Sequence, residues 1–304
     1  MTDKGDLDLT EQVLRRLSMM VAANARYDEL RGAEPLPHSQ LAEDDRATAW
    51  LNLSHQVRSY LNLASDMVRA LERLLIVDDT FQLPLHAHYP LLRSIIEASA
   101  QALWVLEPES HRERVQRSLR ARITEQKWDD DMHAEVVKSG ILFGQATAEF
   151  LAAGQAKIDE RRETLRAKVR ELSDNAGLVW GTTASGLPAT VTILRNVGKL
   201  GDVPGEYAAS IWRLISGLTH PSASRATHYS SVEILSEDSN GILSTRISAS
   251  VDWTHSALLL ALTLYASAIT KYRVRRTKPH APEPHAPEDR PAPTRAPEKR
   301  HADD

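Results

Sequence analysis

The spacing of hydrophobic positions along this chain is helical almost throughout. In residues 9–30, Leu14, Leu17, Val21 and Ala25 recur every three to four positions, which predicts one buried helix face after a cap at Thr10. Residues 39–77 carry a sustained stripe that includes Leu41, Trp50, Leu53, Val57, Leu61, Met67, Leu71 and Leu75, with no Gly or Pro. That predicts one long bundle helix or a broken pair. Residues 86–106 are apolar or small on nearly every side, with Pro90 suited to a first turn and Arg93 and Glu97 four apart. Such a helix is expected at the centre of a bundle, with the two charges buried and paired.

Two charged helices are expected next, at 110–138 and 147–174, forming a hairpin joined through Gly140 to Gly144. The arginines of 112–122 read as a solvated face. A Gly-, Thr- and Ser-rich connection with a short helix near 189–200 leads to a helix at 205–220. The runs 228–235 and 242–250 alternate as strands do and are joined by SEDSNG, a hairpin turn signal. A final helix is expected from Val251 to Arg275, deep in the core at 258–264. The fold class is therefore mostly α, a bundle of six to eight helices with one small β-hairpin insert. Residues 1–276 form a helical domain with the hairpin at about 228–250.

From Lys278 the chain repeats PHAPE twice and then degenerates, holding seven prolines in all and no large apolar residue. That composition cannot build a core, so 277–304 is expected to be a disordered tail. The net charge is −4, and the residues from Arg276 onward carry six basic and six acidic groups, so the domain itself is also acidic. A general duplex-DNA grip is not expected. There is no cysteine, which removes disulfides, thiolate catalysis and cysteine zinc sites. The polar start MTDKGDLDLTEQ and the absence of an 18-residue apolar run imply a cytoplasmic chain with no membrane role. No phosphate loop, nucleophile elbow or dinucleotide fingerprint occurs, and no cofactor is expected.

The candidate chemistry lies in YAASIWRLISGLTHPSASRATH, residues 207–228. Arg213 and His220 are seven residues apart, close to two helical turns, so they share a stripe about 10 Å apart along the axis. Pro221 biases the preceding residue out of the helix, which should end at Thr219 or His220. Terminal carbonyls there favour a cationic imidazole. Arg225 and His228 follow in the same segment as candidate substrate-binding residues. Weaker groupings are His86 with His88, near Asp78 and Asp79, and Asp129 with His133; each falls short of a metal-ligand set.

The spacing R-LISGLT-H resembles the R-x(4–6)-H motif of the HEPN superfamily, helical bundles that include metal-independent ribonucleases of toxin and defence systems. The resemblance covers this motif and its helical context. The family commonly has a polar residue directly after the arginine, where this chain has Leu214. It implies proton transfer by His220 while an RNA 2′-oxygen attacks the adjacent phosphate, with Arg213 stabilising the phosphorane. It also implies single-stranded RNA as substrate and a site assembled across a homo-oligomer, a dimer in the simplest case. A looser similarity links PLLRSIIEASAQALWVLEPESHRERVQRSLR and WRLISGLTH to segments of uncharacterised actinobacterial helical proteins, and implies no activity. The alternative reading is a non-catalytic helical protein that acts by association.

Overall fold

A computed structural model describes residues 4–142, 147–197, 203–220, 222–237 and 239–280. The helices are α1 (Lys4–Asp28), α2 (Gln40–Ala47), α3 (Leu53–Leu75), α4 (His88–Leu106), α5 (His111–Leu142), α6 (Ala148–Asn175), α7 (Trp180–Ala184), α8 (Thr190–Val197), α9 (Gly205–Leu218), α10 (Ala223–His228) and α11 (Val251–Thr277). Strands β1 (Ile76–Val77) and β2 (Thr80–Phe81) form one antiparallel pair, and β3 (Ser231–Glu237) and β4 (Leu243–Ser248) another. The mostly helical fold with a hairpin insert is thus as expected; the hairpin strands span 231–237 and 243–248, and the described residues hold eleven helices where six to eight were expected.

Helix α4 is the centre of the bundle, packed against α3, α11, α9, α8 and α5. Leu92, Ile95, Ile96, Leu103, Val105 and Leu106 are fully or almost fully buried, as the all-round apolar sequence requires. Helix α1 joins this core through Val13, Leu17, Met20 and Tyr27. Helix α11 is long and apolar enough to cross a membrane by length and composition, yet here it is a core helix. Helices α5 and α6 pack together around a separate small core of Val115, Leu119, Val169, Leu172 and Leu178. Asp130 and Arg162 pair across them at 2.7 Å. Part of the expected joint at 140–144 lies outside the described residues.

The stripe at 39–77 breaks into α2 and α3. Two side chains make the break. Thr48 Oγ1 donates to the Asp44 carbonyl at 2.8 Å and accepts from Leu53 N–H at 3.0 Å, and Asp45 accepts from Ser54 N–H at 2.7 Å. These local bonds end one helix and start the next. Trp50, assigned to the stripe by periodicity, sits in the break with a positive φ of 78° and is exposed. Asp78 and Asp79, read as loop, form the left-handed turn of the β1–β2 pair, with φ of 48° and 56°.

The charged residues depart most from expectation. Arg114 is 0% exposed and Arg275 is 1% exposed. Arg114 grips fully buried Asp44 through two bonds, Nε–Oδ2 at 2.7 Å and Nη2–Oδ1 at 2.9 Å. It also donates to the Pro108 and Glu109 carbonyls. Arg275 donates to the Leu106, Glu107 and Pro108 carbonyls, to Gln40 and to the Glu109 carboxylate. The end of α4 has carbonyls with no partner inside the helix, and these two guanidinium groups satisfy them and the turn beyond. The 112–122 arginines are therefore not simply a solvated face. Arg117 also donates to the Trp104 carbonyl, and Arg120 to that of Gly186.

The expected tail boundary also shifts. Lys278 and His280 are held by backbone bonds: Gln40 N–H donates to the Lys278 carbonyl and His280 N–H to the His38 carbonyl, each at 2.9 Å. Pro279 bridges to Ser39. The domain thus extends to His280, and the rest of the expected tail, 281–304, lies outside the described residues.

Candidate functional site

The candidate segment sits where α9 meets the start of α4. Trp212 on α9 donates its indole N–H to Glu97 Oε1 at 2.8 Å. Arg93 pairs with the same carboxylate oxygen at 2.8 Å, lies over the Trp212 ring at 5.6 Å, and reaches Thr219 Oγ1 at 3.4 Å. The Arg93–Glu97 pairing is as the i,i+4 spacing requires. Their side chains are 31% and 29% exposed, so the pair lies at the edge of the core and not within it. Its work is to clamp the end of α9 onto α4.

Helix α9 ends at Leu218 with Thr219 as C-cap, and Thr219 Oγ1 donates back to the Ser216 carbonyl at 2.7 Å. His220 therefore stands one residue beyond the cap, in the expected place. Pro221 lies outside the described residues. Ser222 then caps the short helix α10, accepting from Arg225 N–H at 3.4 Å. Arg225 folds back over Gly217, whose Cα would carry a Cβ only 2.5 Å from Arg225 Nη1. A larger residue at 217 would push the guanidinium, the end of a flexible exposed side chain, out of this position.

These turns enclose an open cleft of about 400 Å³. His86, Thr219, His220, Ser222 and Arg225 line it, with Leu218 and Ala226. Among the described residues the lining holds two imidazoles, one guanidinium and two hydroxyls, and no carboxylate. Such a set suits an anion of phosphate size.

The sequence candidates are only partly brought together. His220 and Arg225 share the cleft, and His86 joins them from the loop before α4. Arg213 is exposed on α9 and is not among the lining residues. The shared stripe ends with the helix at Leu218, so periodicity no longer places His220 beside it. His228 is exposed and stands edge-on to Tyr229, 4.9 Å between ring centres, outside the lining. His86 and His88 do not act together. His88 is fully buried with Nε2 2.9 Å from Thr254 Oγ1, and burial pushes its pKa down to about 4. Among the described residues no three metal-ligating side chains converge, at 78–88, at 129–133 or elsewhere.

Sequence reasoning missed His86 as a cleft residue and Trp212 as the partner of Glu97. No local signal marks His86, since its partners lie more than 130 positions away. Trp212 was legible in principle as the large side chain next to Arg213. In comparisons with known proteins, no family model, no curated protein and no solved structure matches this chain.

Proposed function

We propose that this protein is a metal-independent endoribonuclease acting on single-stranded RNA, with the cleft at the end of α9 as its active site. The supporting observation is the lining itself: His86, His220 and Arg225 around one opening, with no acidic side chain among the described lining residues. Cleavage of RNA by its own 2′-hydroxyl needs a base for that proton, an acid for the departing 5′-oxygen, and positive charge on the phosphorane. His220 and His86 supply the two proton-transfer groups, and Arg225 the charge. Arg213, exposed on α9, contacts the strand backbone outside the cleft, and His228 does so at the end of α10.

The product identifies the mechanism. The full chain in EDTA should convert a labelled RNA to fragments ending in a 2′,3′-cyclic phosphate. An RNA with a single 2′-deoxynucleotide should resist cutting at that position. Fragments ending in a free 3′-hydroxyl, or cutting that requires a divalent ion, would exclude this chemistry.

A second reading, association without catalysis, has its own observation. The β3–β4 register places Val232, Ile234, Leu243 and Ile247 on one face and Ser231, Glu233, Ser236 and Arg246 on the other. Val232, Ile234 and Leu243 are nonetheless exposed, with Leu235 and Ile242 beside them. A two-stranded hairpin is marginal alone, and an apolar face in solvent marks a contact surface. A second copy of this chain is the simplest partner. Sedimentation should show a dimer that Val232→Asp with Ile234→Asp dissociates. A monomer for the unmodified chain at all concentrations would remove this reading.

A further inference from the structure

Helix α11 runs alongside α4, with Thr254 against His88 at one end and Arg275 against the Leu106 carbonyl at the other. Its last turns lie about 30 Å along the axis from that first contact, and so far from the cleft. There α11 and the end of α1 border an open groove of about 600 Å³. Arg26 and Glu29 line it from α1, and Arg273 and Arg276 from α11, over apolar Leu30, Ile269 and Val274. Terminal carbonyls carry partial negative charge, which favours arginines at both helix ends. Here those carbonyls are already bonded elsewhere. The Arg273 carbonyl accepts from Thr277 Oγ1 at 3.0 Å, that of Val274 from Lys278 N–H at 2.7 Å and that of Arg276 from Leu36 N–H at 3.0 Å. Those of Ala25, Tyr27 and Asp28 accept from the backbone of residues 29–31. Carboxylates do not claim the guanidinium groups either: among the described residues neither Arg26, Arg273, Arg276 nor Glu29 forms an ion pair. Arg276 gives one bond, from Nη1 to the Glu34 carbonyl at 3.1 Å, and its Nε is buried without an acceptor. Arg275, one position earlier, is by contrast spent on carbonyls, Gln40 and Glu109.

We propose that this groove is a binding site for a soluble phosphate monoester carried on an apolar or aromatic body, a nucleoside monophosphate being the simplest case. Three guanidinium groups against the single carboxylate of Glu29 leave the lining with two positive charges in excess. A phosphate monoester carries about −1.5 to −2 at pH 7, so the charges match. Guanidinium forks are suited to phosphate because they donate two parallel bonds. The volume lies within the range of small-molecule pockets, and the lining combines apolar contact with a few polar groups as such pockets do. Leu30, Ile269 and Val274 take the body of the ligand, and Glu29 accepts from a hydroxyl or amino group on it. The site is independent of the cleft and stands whether or not the cleft cleaves RNA.

The test titrates the full chain with AMP by calorimetry at low ionic strength, where exposed charges are least screened. Thermal unfolding is followed in parallel. AMP should bind and raise the melting temperature with its concentration, because a ligand of the folded chain stabilises it by mass action. Arg26→Ala and Arg273→Ala should each weaken binding by about tenfold or more, the size of one lost charge-assisted bond. Both side chains are exposed and unpaired, so the ligand-free melting temperature should stay close to that of the unmodified chain. Arg225→Ala, in the cleft, should bind AMP as the unmodified chain does. Inorganic phosphate and adenosine should each bind more weakly than AMP, since each lacks one half of the ligand. AMP affinity kept in both Arg26→Ala and Arg273→Ala but lost in Arg225→Ala would place the phosphate in the cleft and overturn the assignment. Phosphate binding as tightly as AMP would remove the apolar body from it. Capture on vesicles containing phosphatidic acid without binding of AMP would assign the groove to a lipid phosphate instead. Absence of AMP binding up to about 1 mM would also overturn the proposal.

Discussion

The two ends of α4 carry the same kinds of side chain and use them in opposite ways. At its C-terminal end, Arg114 and Arg275 are sealed from water, and their bonds go to Asp44, Gln40, Glu109 and a run of backbone carbonyls. At its N-terminal end, Arg225, His220 and His86 line an opening with no carboxylate among them. A satisfied buried cation belongs to the fold, since it costs several kcal/mol to strand and cannot reach a ligand. A cation at an open cleft without a carboxylate beside it contributes little to folding and is free to meet an anion. Charge type alone does not separate structure from function here; satisfaction and access do.

The largest expected effect comes from breaking the sealed end. Asp44→Ala leaves the Arg114 guanidinium buried without its carboxylate and should lower unfolding free energy by about 3–5 kcal/mol in chemical denaturation. A loss below about 1 kcal/mol would show that water enters and that the two ends are alike.

The same contrast appears two residues apart at the other end, where His86 is open and His88 is sealed. The folded-state pKa of His88 is depressed to about 4 from an ordinary 6.5. The unfolded chain therefore binds the proton first as pH falls. The stability that rests on neutral His88 is whole above pH 6.5 and is lost between 6.5 and 4, amounting to about 3 kcal/mol at most. Denaturation across that window should show the loss, and His88→Gln should flatten it. A flat profile in the unmodified chain would mean that His88 is hydrated.

Smaller effects are expected at the edge of the core. Glu97→Ala removes the acceptor of both Arg93 and Trp212, but each charged side chain is about a third exposed, so the cost should be about 1–2 kcal/mol. A loss as large as that of Asp44→Ala would make this pair part of the sealed core. The smallest effect should follow deletion of 281–304. That stretch has no large apolar residue, and stability should change by less than about 0.5 kcal/mol. A larger change in melting temperature would show that the segment docks.

The apolar helices were legible because their periodicity depends only on near neighbours. Helices α4, α9 and α11 follow from Leu, Ile and Ala spacing, and the end of α9 from Pro221. The break at 48–52 was less visible, because it rests on how the Asp45 and Thr48 side chains bond the local backbone. The roles of Arg114 and Arg275 were hidden, since their partners are 70 and 166–169 positions away and an arginine within RERVQRSLR looks solvated. At the candidate site the segment was legible and the grouping was not. Arg225 reaches the end of α9 by folding over Gly217, and His86 arrives from another element.

The central claim is that the cleft, with His220 and Arg225 as partners, carries the chemistry. The direct measurement is the single-turnover rate of single-stranded RNA cleavage in EDTA by the unmodified chain, His220→Ala, Arg225→Ala and Arg213→Ala. The account predicts that the first two substitutions each slow the reaction by about 10² or more, as the loss of proton-transfer and charge-stabilising groups does. It predicts that Arg213→Ala mainly weakens RNA binding. Equal rates in all four proteins would contradict the account, as would a loss in Arg213→Ala matching that in His220→Ala while Arg225→Ala stays fully active.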